Sequence, residues 1–364
     1  MKKQQADYPF IFSVLLLVVF GLIILSSASV VLSQDLTERS YFFLEHQLVY
    51  GILPGLLAFF ICQKIHYSYW QKLAFPLMIL SIILLSLVFV PQISYSHGGA
   101  RRWIGLANFS FQPFEFVKLS FILYLSALLG KKGGDQKVIR ESIKPFLVTL
   151  GIITGLVLLQ PNMSALVILF VISFFLYFLA GLNFRYLFTM SALALAAFFV
   201  LIRISPYRME RLIVFLHPET DPQGIGYQIN QALLAIGSGG LFGLGLGHSI
   251  QKWKYLPEVI GDSIFAVVAE ELGLIGAAIL VVLFVALAWR GLKIAGRAPD
   301  KLGHLLAGGI TGWLFFQAFI NMAVIVGLLP VTGLPLPFVS YGGSALVAVL
   351  AGAGIVVNIS KYAR

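Results

Sequence analysis

Residues 255–289 read YLPEVIGDSIFAVVAEELGLIGAAILVVLFVALAW. Beyond Asp262 the stretch is apolar apart from Glu270 and Glu271, and it exceeds the roughly 20 residues that a helix needs to cross a bilayer. Glu258 and Asp262 stand four residues apart at its start. Carboxylates at a membrane surface cost free energy, and chains rarely keep them there without a task. The stretch therefore predicts a membrane protein, and more narrowly a membrane enzyme.

The composition of the whole chain is that of a membrane protein. Of its 364 residues, 59% are hydrophobic and only 11% are charged, and the mean hydropathy is +0.94. A soluble domain of this length could not hide that much apolar surface, so the bilayer must act as the solvent. The sequence lacks the short alternating strands of an outer-membrane barrel, which leaves a bundle of helices.

Ten apolar stretches have spanning or near-spanning length. They cover residues 9–32, 44–62, 73–90, 112–129, 145–159, 163–182, 184–203, 263–289, 307–327 and 340–359. We therefore predict an all-α integral membrane protein, a single polytopic domain over residues 1–364 with ten transmembrane helices. A large extracytoplasmic loop, about 205–261, would connect the seventh and eighth helices.

Basic residues are concentrated on one side of the predicted bundle. With the N-terminus inside, the inner segments hold 16 Lys and Arg against four Asp and Glu, whereas the outer side and the spans hold nine bases and eleven acids. This positive-inside pattern predicts that both termini lie in the cytoplasm. The net charge of +10 thus reflects topology and not nucleic-acid binding. Cys62 is the single cysteine, so no intramolecular disulfide can form.

Two outer-side segments leave a choice between a structural and a binding role. Glu115 and Lys118 are spaced i, i+3, so they either form an internal ion pair or leave Lys118 free to bind an anion. In the second case Arg101 or Arg102 would assist Lys118. Asn162 lies in the turn between the fifth and sixth spans. Since the predicted fifth span is short for the bilayer core, this turn either lines a cavity or closes a plain hairpin.

The large predicted loop contains a helix signal and a glycine-rich run. Apolar and polar residues between Gln228 and Ile236 fall on opposite sides of a helix, which predicts a short interfacial helix. Residues 237–247 are rich in glycine, but no preceding strand and no following Gly-Lys-Ser/Thr support a nucleotide loop. We interpret this run as a tight backbone path beside a ligand or a helix. The prolines of residues 330–344 predict a stiff loop.

The acids near the eighth span also allow structural interpretations. Asp262 could be only the N-cap of that helix, and Glu258 only a solvated loop charge. Glu270 lies deeper and should find a donor, for which the outer-half bases named above are available. The sequence has no His-Cys metal spacing and no serine-triad elbow. Carboxylate base chemistry with cationic binding remains, and it suits glycosyl or phosphoryl transfer on a lipid-linked substrate.

Several motifs, in order along most of the chain, together resemble one family. They are GARRWI (99–104), QPFEFVK (112–118), DPQGIGYQ (221–228), AIGSGG (235–240), LPE (256–258) with Asp262, FAV (265–267), EELG (270–273) and LPVTGLPLPFVSYGGS (329–344). With these motifs the chain resembles the SEDS family (shape, elongation, division and sporulation) of RodA/FtsW/SpoVE-type peptidoglycan glycosyltransferases. Residues 245–252, GLGHSIQK, are closer to the division and sporulation branch than to the elongation branch.

The resemblance implies an enzyme that polymerises lipid II, an undecaprenyl-pyrophosphate-linked disaccharide peptide, into glycan strands at the outer face of the bacterial cytoplasmic membrane. Asp262 would be the general base that deprotonates the acceptor hydroxyl, with Glu258 in support. The implied substrate-binding candidates are Arg101, Arg102, Lys118, Glu115, Asn162, Ser340 and Tyr341. A divalent cation, Mg²⁺ or Mn²⁺, could share the binding of the diphosphate. The implied partners are a single-pass class B penicillin-binding transpeptidase and other divisome or elongasome membrane proteins.

Two departures from the family pattern and two other functions stay open. Ile260 and Gly261 stand where the family usually has His-Thr, and Asn162 stands where it usually has Asp. Asn162 can accept a hydrogen bond but cannot supply negative charge to a cation. The same cavity would serve a flippase or exporter of a lipid-linked precursor, which needs no base. With degraded catalysis, the chain would be a scaffold for division proteins.

Overall fold

The computed structural model describes residues 4–97, 100–106, 109–130, 136–217, 220–221 and 223–363. Helices dominate this part of the chain. They are α1 (Tyr8–Ala28), α2 (Val30–Thr37), α3 (Phe42–Gln47), α4 (Leu53–Lys64), α5 (Ser68–Leu87), α6 (Pro113–Leu129), α7 (Gln136–Leu159), α8 (Met163–Ala180), α9 (Phe184–Ile204), α10 (Pro206–Leu216), α11 (Ile225–Gly239), α12 (Ile264–Gly296), α13 (Lys301–Ile325) and α14 (Gly343–Ser360). A π-helical stretch, Leu48–Ile52, joins α3 to α4.

The helices match the predicted membrane spans closely. Within the described ranges, nine helical segments are long and apolar enough to cross a membrane, and α3 to α4 count as one segment, Phe42–Lys64. The predicted fourth span corresponds to α6, which has 17 residues. The helical membrane fold is confirmed. The count of ten spans, the single domain and the extracytoplasmic side of the loop remain predictions.

Two helices are longer than the apolar runs that predicted them. The helix α7 has 24 residues and starts at Gln136, with Pro145 inside it, so the prediction of a short fifth span was wrong. The helix α12 likewise continues past Trp289 to Gly296. In both cases the extra turns carry polar and charged residues, which a helix can retain where it reaches the headgroup region. The turn at Asn162 is therefore not drawn inward by a short helix.

A small antiparallel sheet interrupts the helical pattern between α5 and α6. Its strands are β1 (Ser94–His97), β2 (Ala100–Leu106) and β3 (Phe109–Phe111), paired in the order β1-β2-β3. These strands were not predicted, because β1 and β3 have only four and three residues. The longer β2 reads ARRWIGL and does not alternate between polar and apolar residues. The sheet matters for the site because β2 carries Arg101 and Arg102.

The glycine-rich run packs against a break in α12. At Gly273 the backbone leaves the helical region, with φ 66° and ψ −168°. The amide of Leu244 donates to the Glu270 carbonyl over 2.9 Å, so the loop binds backbone groups beside the break. A Cβ atom at Gly243 would overlap the carbonyl oxygen of Glu271. The predicted tight backbone path beside a helix is confirmed, as is a helix over residues 228–236, which forms part of α11.

The helices α13 and α14 are largely buried inside the bundle. Glycines on α13, at positions 308, 309 and 312, allow side chains of α8 and α6 to approach its backbone, which is the close packing that membrane helices favour. By contrast, α9 is exposed along nearly all its length. The bundle therefore has a tight centre around α13 and one peripheral helix.

Both termini lie at one end of the bundle and Asp262 lies at the other. The amide of Gln4 donates to the Lys361 carbonyl over 2.7 Å, and Asp7 forms an ion pair with Arg290 near the C-terminal end of α12. Asp262 stands just before the N-terminal end of the same helix. Tyr341, just before α14, bonds to the turn that precedes Asp262, and Lys361, just after α14, bonds to Gln4. The 18 residues of α14 therefore separate the two ends by about 27 Å at 1.5 Å per residue.

Candidate active site

The turn before α12 presents Asp262 without using it as a helix cap. The carbonyl oxygen of Glu258 accepts from the amides of Gly261 and Ser263, over 3.0 and 3.1 Å. Ser263 is the N-cap residue of α12, and no side chain caps this helix. The interpretation of Asp262 as an N-cap was therefore wrong. Its carboxylate is left to face the surroundings of the turn.

The proline-rich loop and α13 hold the backbone of this turn in place. The hydroxyl of Ser340 donates to the Gly261 carbonyl over 2.7 Å, and the amide of Tyr341 donates to the Ile260 carbonyl over 2.8 Å. The side-chain amide of Asn321, on α13, donates to the Asp262 carbonyl over 2.8 Å. Three separate contacts thus fix the position from which the Asp262 side chain projects.

The electrostatic surroundings give Asp262 the properties of a base near neutral pH. Burial, and to a smaller extent the neighbouring carboxylate of Glu258, raise the pKa of the Asp262 carboxyl to about 7 against the opposing effect of Arg102 and Arg211. In the described part of the chain, no side-chain hydrogen bond to the Asp262 carboxylate is present. A carboxylate that is unbonded and has a pKa near the working pH is suited to accept a proton.

Two arginines bring distant segments to this carboxylate. Arg102, on β2, donates to the carbonyl of Gln160 over 3.3 Å and to the carbonyl of Pro161. Arg211, on α10, donates to the Val331 carbonyl over 3.2 Å. The sheet, the α7–α8 turn, the large loop and the proline-rich loop therefore converge at the end of the bundle where Asp262 lies.

The α7–α8 turn lies next to Asp262, although Asn162 itself serves as a cap. Asn162 is buried and its side-chain oxygen accepts from the amide of Ala165 over 3.2 Å, at the start of α8. Ser164 accepts from the amide of Gly333 over 2.9 Å, and a Cβ atom at Gly333 would lie 3.3 Å from Asp262 Oδ2. Since Asn and Asp cap helices equally well, the departure from the family pattern leaves the cap intact.

Lys118 lies in the interior and not on an open surface. Its side chain is fully buried, with its ammonium 2.8 Å from Glu115 Oε2 and 2.8 Å from Gln317 Oε1. It also lies 5.3 Å from the Trp313 ring centroid. Of the two interpretations of Glu115 and Lys118, the ion pair is thus present. Gln317 in turn donates to the Pro335 carbonyl over 2.8 Å. The Glu115–Lys118 ion pair is therefore connected to the proline-rich loop through Gln317.

Three candidates remain: Arg101, which is an exposed base, and Ser340 and Tyr341, which form hydrogen bonds within the protein. Arg101 is exposed on β2, whereas Ser340 is buried and bonded to the Asp262 turn. The hydroxyl of Tyr341 lies 2.9 Å from His46 Nδ1, and burial raises the pKa of Tyr341 to about 12. Tyr341 is therefore neutral at physiological pH. Roles of Arg101, Ser340 and Tyr341 in substrate binding remain predictions.

The buried acids of α12 do not meet the bases that the sequence analysis named. Glu270 accepts from the hydroxyl of Ser249 and from two loop amides. Glu271 forms an ion pair with Lys252 over 3.0 Å and accepts from the hydroxyl of Ser27. The expectation that outer-half bases such as Arg101, Arg102 or Lys118 would pair with Glu270 was therefore wrong. Both acids bind residues 249–252, which follow the glycine-rich run, and Glu271 also binds Ser27 of α1.

Several residues that shape the site were not predicted from the sequence. Nothing in the sequence indicated that Arg211 lies near Asp262, and the polar contacts of Gln317 and Asn321 were not anticipated. A signal was present for two of these residues. Trp313, Gln317 and Asn321 are spaced by four residues on an otherwise apolar span, which predicts a polar stripe that faces the bundle interior.

No group of three or more His, Cys, Asp and Glu in the described residues could hold a metal ion. Mg²⁺ is often held by only one or two carboxylates together with substrate phosphates. Glu258 is an exposed carboxylate beside Asp262, so the site can offer that smaller donor set. A requirement for a divalent cation stays a prediction.

The comparison with known proteins decides the family. The sequence pattern of the FtsW/RodA/SpoVE cell cycle proteins matches residues 8–364. The chain belongs to this family. As a member of the FtsW/RodA/SpoVE family, it is similar over its full length to proteins from several bacteria. Stage V sporulation protein E of Bacillus subtilis (strain 168) is 39% identical over 366 residues, which cover 100% of this chain and 99% of the relative.

Another relative and two solved structures give the same result. The probable peptidoglycan glycosyltransferase FtsW of Trichlorobacter lovleyi is 39% identical, with 99% of this chain and 94% of the relative covered. A structure described as structural coordination of polymerization and crosslinking by a peptidoglycan synthase complex matches with a TM-score of 0.80 and 31% identity, over 98% of this chain and 97% of the other. The rod shape determining protein RodA of Thermus thermophilus matches with a TM-score of 0.69 and 30% identity, over 99% and 98%.

Proposed function

We propose that this chain is a peptidoglycan glycosyltransferase that polymerises lipid II into glycan strands at the outer face of the bacterial cytoplasmic membrane. The observation that carries the proposal is Asp262, whose carboxylate has a pKa of about 7 and lies between the charges of Glu258, Arg102 and Arg211. The names of the relatives support the same chemistry, since FtsW proteins are named as probable peptidoglycan glycosyltransferases.

The proposed reaction uses Asp262 as the general base. Its carboxylate takes the proton from the acceptor sugar hydroxyl as that oxygen attacks the anomeric carbon of the donor. The bond between the anomeric carbon and the lipid diphosphate breaks, and the diphosphate leaves with the bonding electrons. Arg102 and Arg211 lie where they can offset the negative charge of the leaving group. The glycosidic bond forms, and the proton remains on Asp262 until solvent removes it.

The other candidates take supporting roles in this proposal. Arg101 is exposed and free to steer the diphosphate, whereas Lys118 and Glu115 support the loop beneath the site. Ser340, through its hydroxyl, and Tyr341, through its backbone amide, would position the Asp262 turn. Glu258 would hold Mg²⁺ or Mn²⁺ against the substrate phosphates, and the ion would supply positive charge to the leaving group.

The proposal extends to a partner and to the orientation of the chain in the membrane. One similar structure comes from a peptidoglycan synthase complex that coordinates polymerisation and crosslinking. We therefore propose that the chain assembles with a single-pass class B penicillin-binding transpeptidase and with other divisome or elongasome membrane proteins. Both termini would lie in the cytoplasm and the 205–261 loop outside, because the base excess follows the positive-inside rule.

The test is polymerisation of lipid II by the purified chain in detergent micelles, with and without the transpeptidase partner. A micelle has no two leaflets, so a flippase would have no measurable function there. We expect glycan strands of many disaccharides on a gel. Their absence in both preparations, together with translocation of a labelled lipid precursor by proteoliposomes, would instead support the flippase.

A further inference from the structure

A second charged site lies at the opposite end of the bundle from Asp262. A cavity of about 240 Å³ opens where the N-terminal segment meets the last turns of α12. Its charged lining residues are Asp7, Arg290, Lys293 and Arg297. The remaining lining is uncharged and comes from both terminal segments, including Gln4 and Ser360, and from Ile294 of α12. Neither the proposed reaction nor the family motifs use any of these residues.

Positive charge in this cavity is only partly compensated. Arg290 forms a two-pronged ion pair with Asp7, with nitrogen–oxygen distances of 2.9 and 3.1 Å. In the described part of the chain, no carboxylate forms an ion pair with Lys293 or Arg297. The four side chains therefore leave a net charge of +2 in the cavity. A helix C-terminus favours cations, but its partial charge is only about half an elementary charge, so it does not account for this excess.

Two aromatic side chains place the cavity at the level of lipid headgroups. Tyr8 is 64% exposed and Trp289 is 62% exposed, and they belong to the two helices that border the cavity. Exposed Tyr and Trp at the ends of spans lie at the membrane–water interface. The Lys293 ammonium lies 5.5 Å from the Trp289 ring centroid, and the Arg290 guanidinium lies 5.8 Å from it. The cations therefore lie at the same depth as the aromatic rings.

We propose that this cavity binds the phosphate of an anionic phospholipid headgroup. The lipid would belong to the leaflet on the side of the bundle where both terminal segments lie. Lys293 and Arg297 would contact the phosphate oxygens, and the ion-paired Arg290 would support them. The headgroup depth and the net positive charge favour a lipid phosphate, and the small volume suits a headgroup better than a peptide. Because the headgroup would contact both α1 and α12, it would hold these two helices together.

The test compares two double variants that lose the same charge. In Lys293→Gln/Arg297→Gln both unpaired cations of the cavity are removed. In Lys72→Gln/Arg185→Gln two exposed bases outside the cavity are removed instead. The purified proteins in detergent are titrated with phosphatidylglycerol, with phosphatidylcholine or with inorganic phosphate. Native mass spectrometry counts the bound lipids, and thermal unfolding reports the accompanying stabilisation.

We expect about 30-fold weaker binding of phosphatidylglycerol by the cavity variant, since each basic residue near an anionic lipid contributes roughly fivefold. The matched variant should change by less than about twofold, and Lys293→Arg/Arg297→Lys should bind as well as the original chain. If both double variants lost phosphatidylglycerol binding equally, the loss would reflect the total charge of the protein, and the proposal of a specific site in the cavity would be wrong. Equal stabilisation by phosphatidylcholine or by inorganic phosphate alone would overturn the anionic lipid as its ligand.

Discussion

At the scale of single residues, the site keeps a carboxylate where ionisation is unfavourable. The pKa of Asp262 is about 7, above its ordinary value of 3.8, so the folded protein holds the Asp262 proton more tightly than the unfolded chain does. The contribution of Asp262 to stability therefore falls as the pH rises from about 4 to about 7, and the cost remains above that range. Such a cost is typical of a residue kept for reactivity.

A change at Glu258 should shift the pH dependence of the reaction. Because the Glu258 carboxylate raises the pKa of Asp262, Glu258→Gln should lower it. The rising limb of the rate-against-pH curve should have its midpoint near pH 7 in the original chain and at a lower pH in the variant. The measurement is lipid II polymerisation across that range, with Glu45→Gln as a control that leaves the midpoint in place. An unchanged or raised midpoint in Glu258→Gln would contradict the assignment.

The sequence alone predicted the two carboxylates but not their environment. Glu258 and Asp262 are neighbours in sequence and stand at the start of an apolar run, so their position was visible. Arg211 and Asn321 reach Asp262 only through the tertiary fold, and no local pattern connects them. The buried position of Lys118 was open for the same reason, since spacing shows which residues share a face but not what covers it.

At the scale of elements, the broken helix α12 depends on polar contacts with the glycine-rich loop. Lys252 and Glu271 form a buried ion pair, with side-chain exposures of 5% and 0%. Backbone amides of the loop occupy carbonyls beside Gly273, which satisfies groups that a break inside a membrane would otherwise leave unpaired. The loop and the first turns of α12 thus form one structural unit. Asp262 lies in the turn immediately before these first turns.

Removal of one partner of this pair should destabilise the protein strongly. Lys252→Met leaves the buried Glu271 carboxylate unpaired, which costs about 3–5 kcal/mol. The double variant Lys252→Met/Glu271→Gln should recover most of this loss. Lys254→Met is the matched control, because its ion pair with Asp35 is largely exposed and contributes less than about 1 kcal/mol. Thermal unfolding in detergent measures all three, and equal destabilisation by Lys252→Met and Lys254→Met would disprove the buried-pair account.

The membrane-spanning helices were predicted correctly where a long apolar run marked the span. The spans followed from hydropathy, because each must bury about 20 apolar residues in lipid. The ends of α7 and α12 did not, since charged residues continue a helix beyond the hydrocarbon core without an apolar signal. The strand β2 was missed because its seven residues, ARRWIGL, do not alternate between polar and apolar side chains. Its pairing with β1 and β3 depends on the tertiary fold.

At the scale of the whole molecule, the account places the reaction and the lipid-binding cavity at opposite ends of one bundle. The contact between Gln4 and Lys361 joins the termini at one end, and the turn at Asp262 lies at the other. If the termini are cytoplasmic, the reaction takes place on the outer side. The architecture thus makes the orientation of the termini a test of the function.

Cysteine mapping should establish this orientation. In a Cys62→Ser background, Lys254→Cys should react with a membrane-impermeant thiol reagent on intact spheroplasts, and Arg185→Cys should react only after permeabilisation. Lys254 is suitable because its side chain is 73% exposed, whereas Ser249 in the same loop is buried and would resist the reagent in either orientation. Labelling of Arg185→Cys on intact cells would contradict the proposed topology.

The central claim is that Asp262 removes the proton of the acceptor hydroxyl, and one measurement tests it most directly. Lipid II polymerisation is compared between the purified original chain and Asp262→Asn, at about pH 8 and with lipid II binding measured on the same samples. Since Asn cannot accept the proton, the rate should fall by about 10²–10⁴-fold. Binding of lipid II should persist, and the unfolding temperature should stay the same or rise because the unfavourable charge is gone. Polymerisation by Asp262→Asn at the original rate would contradict the account.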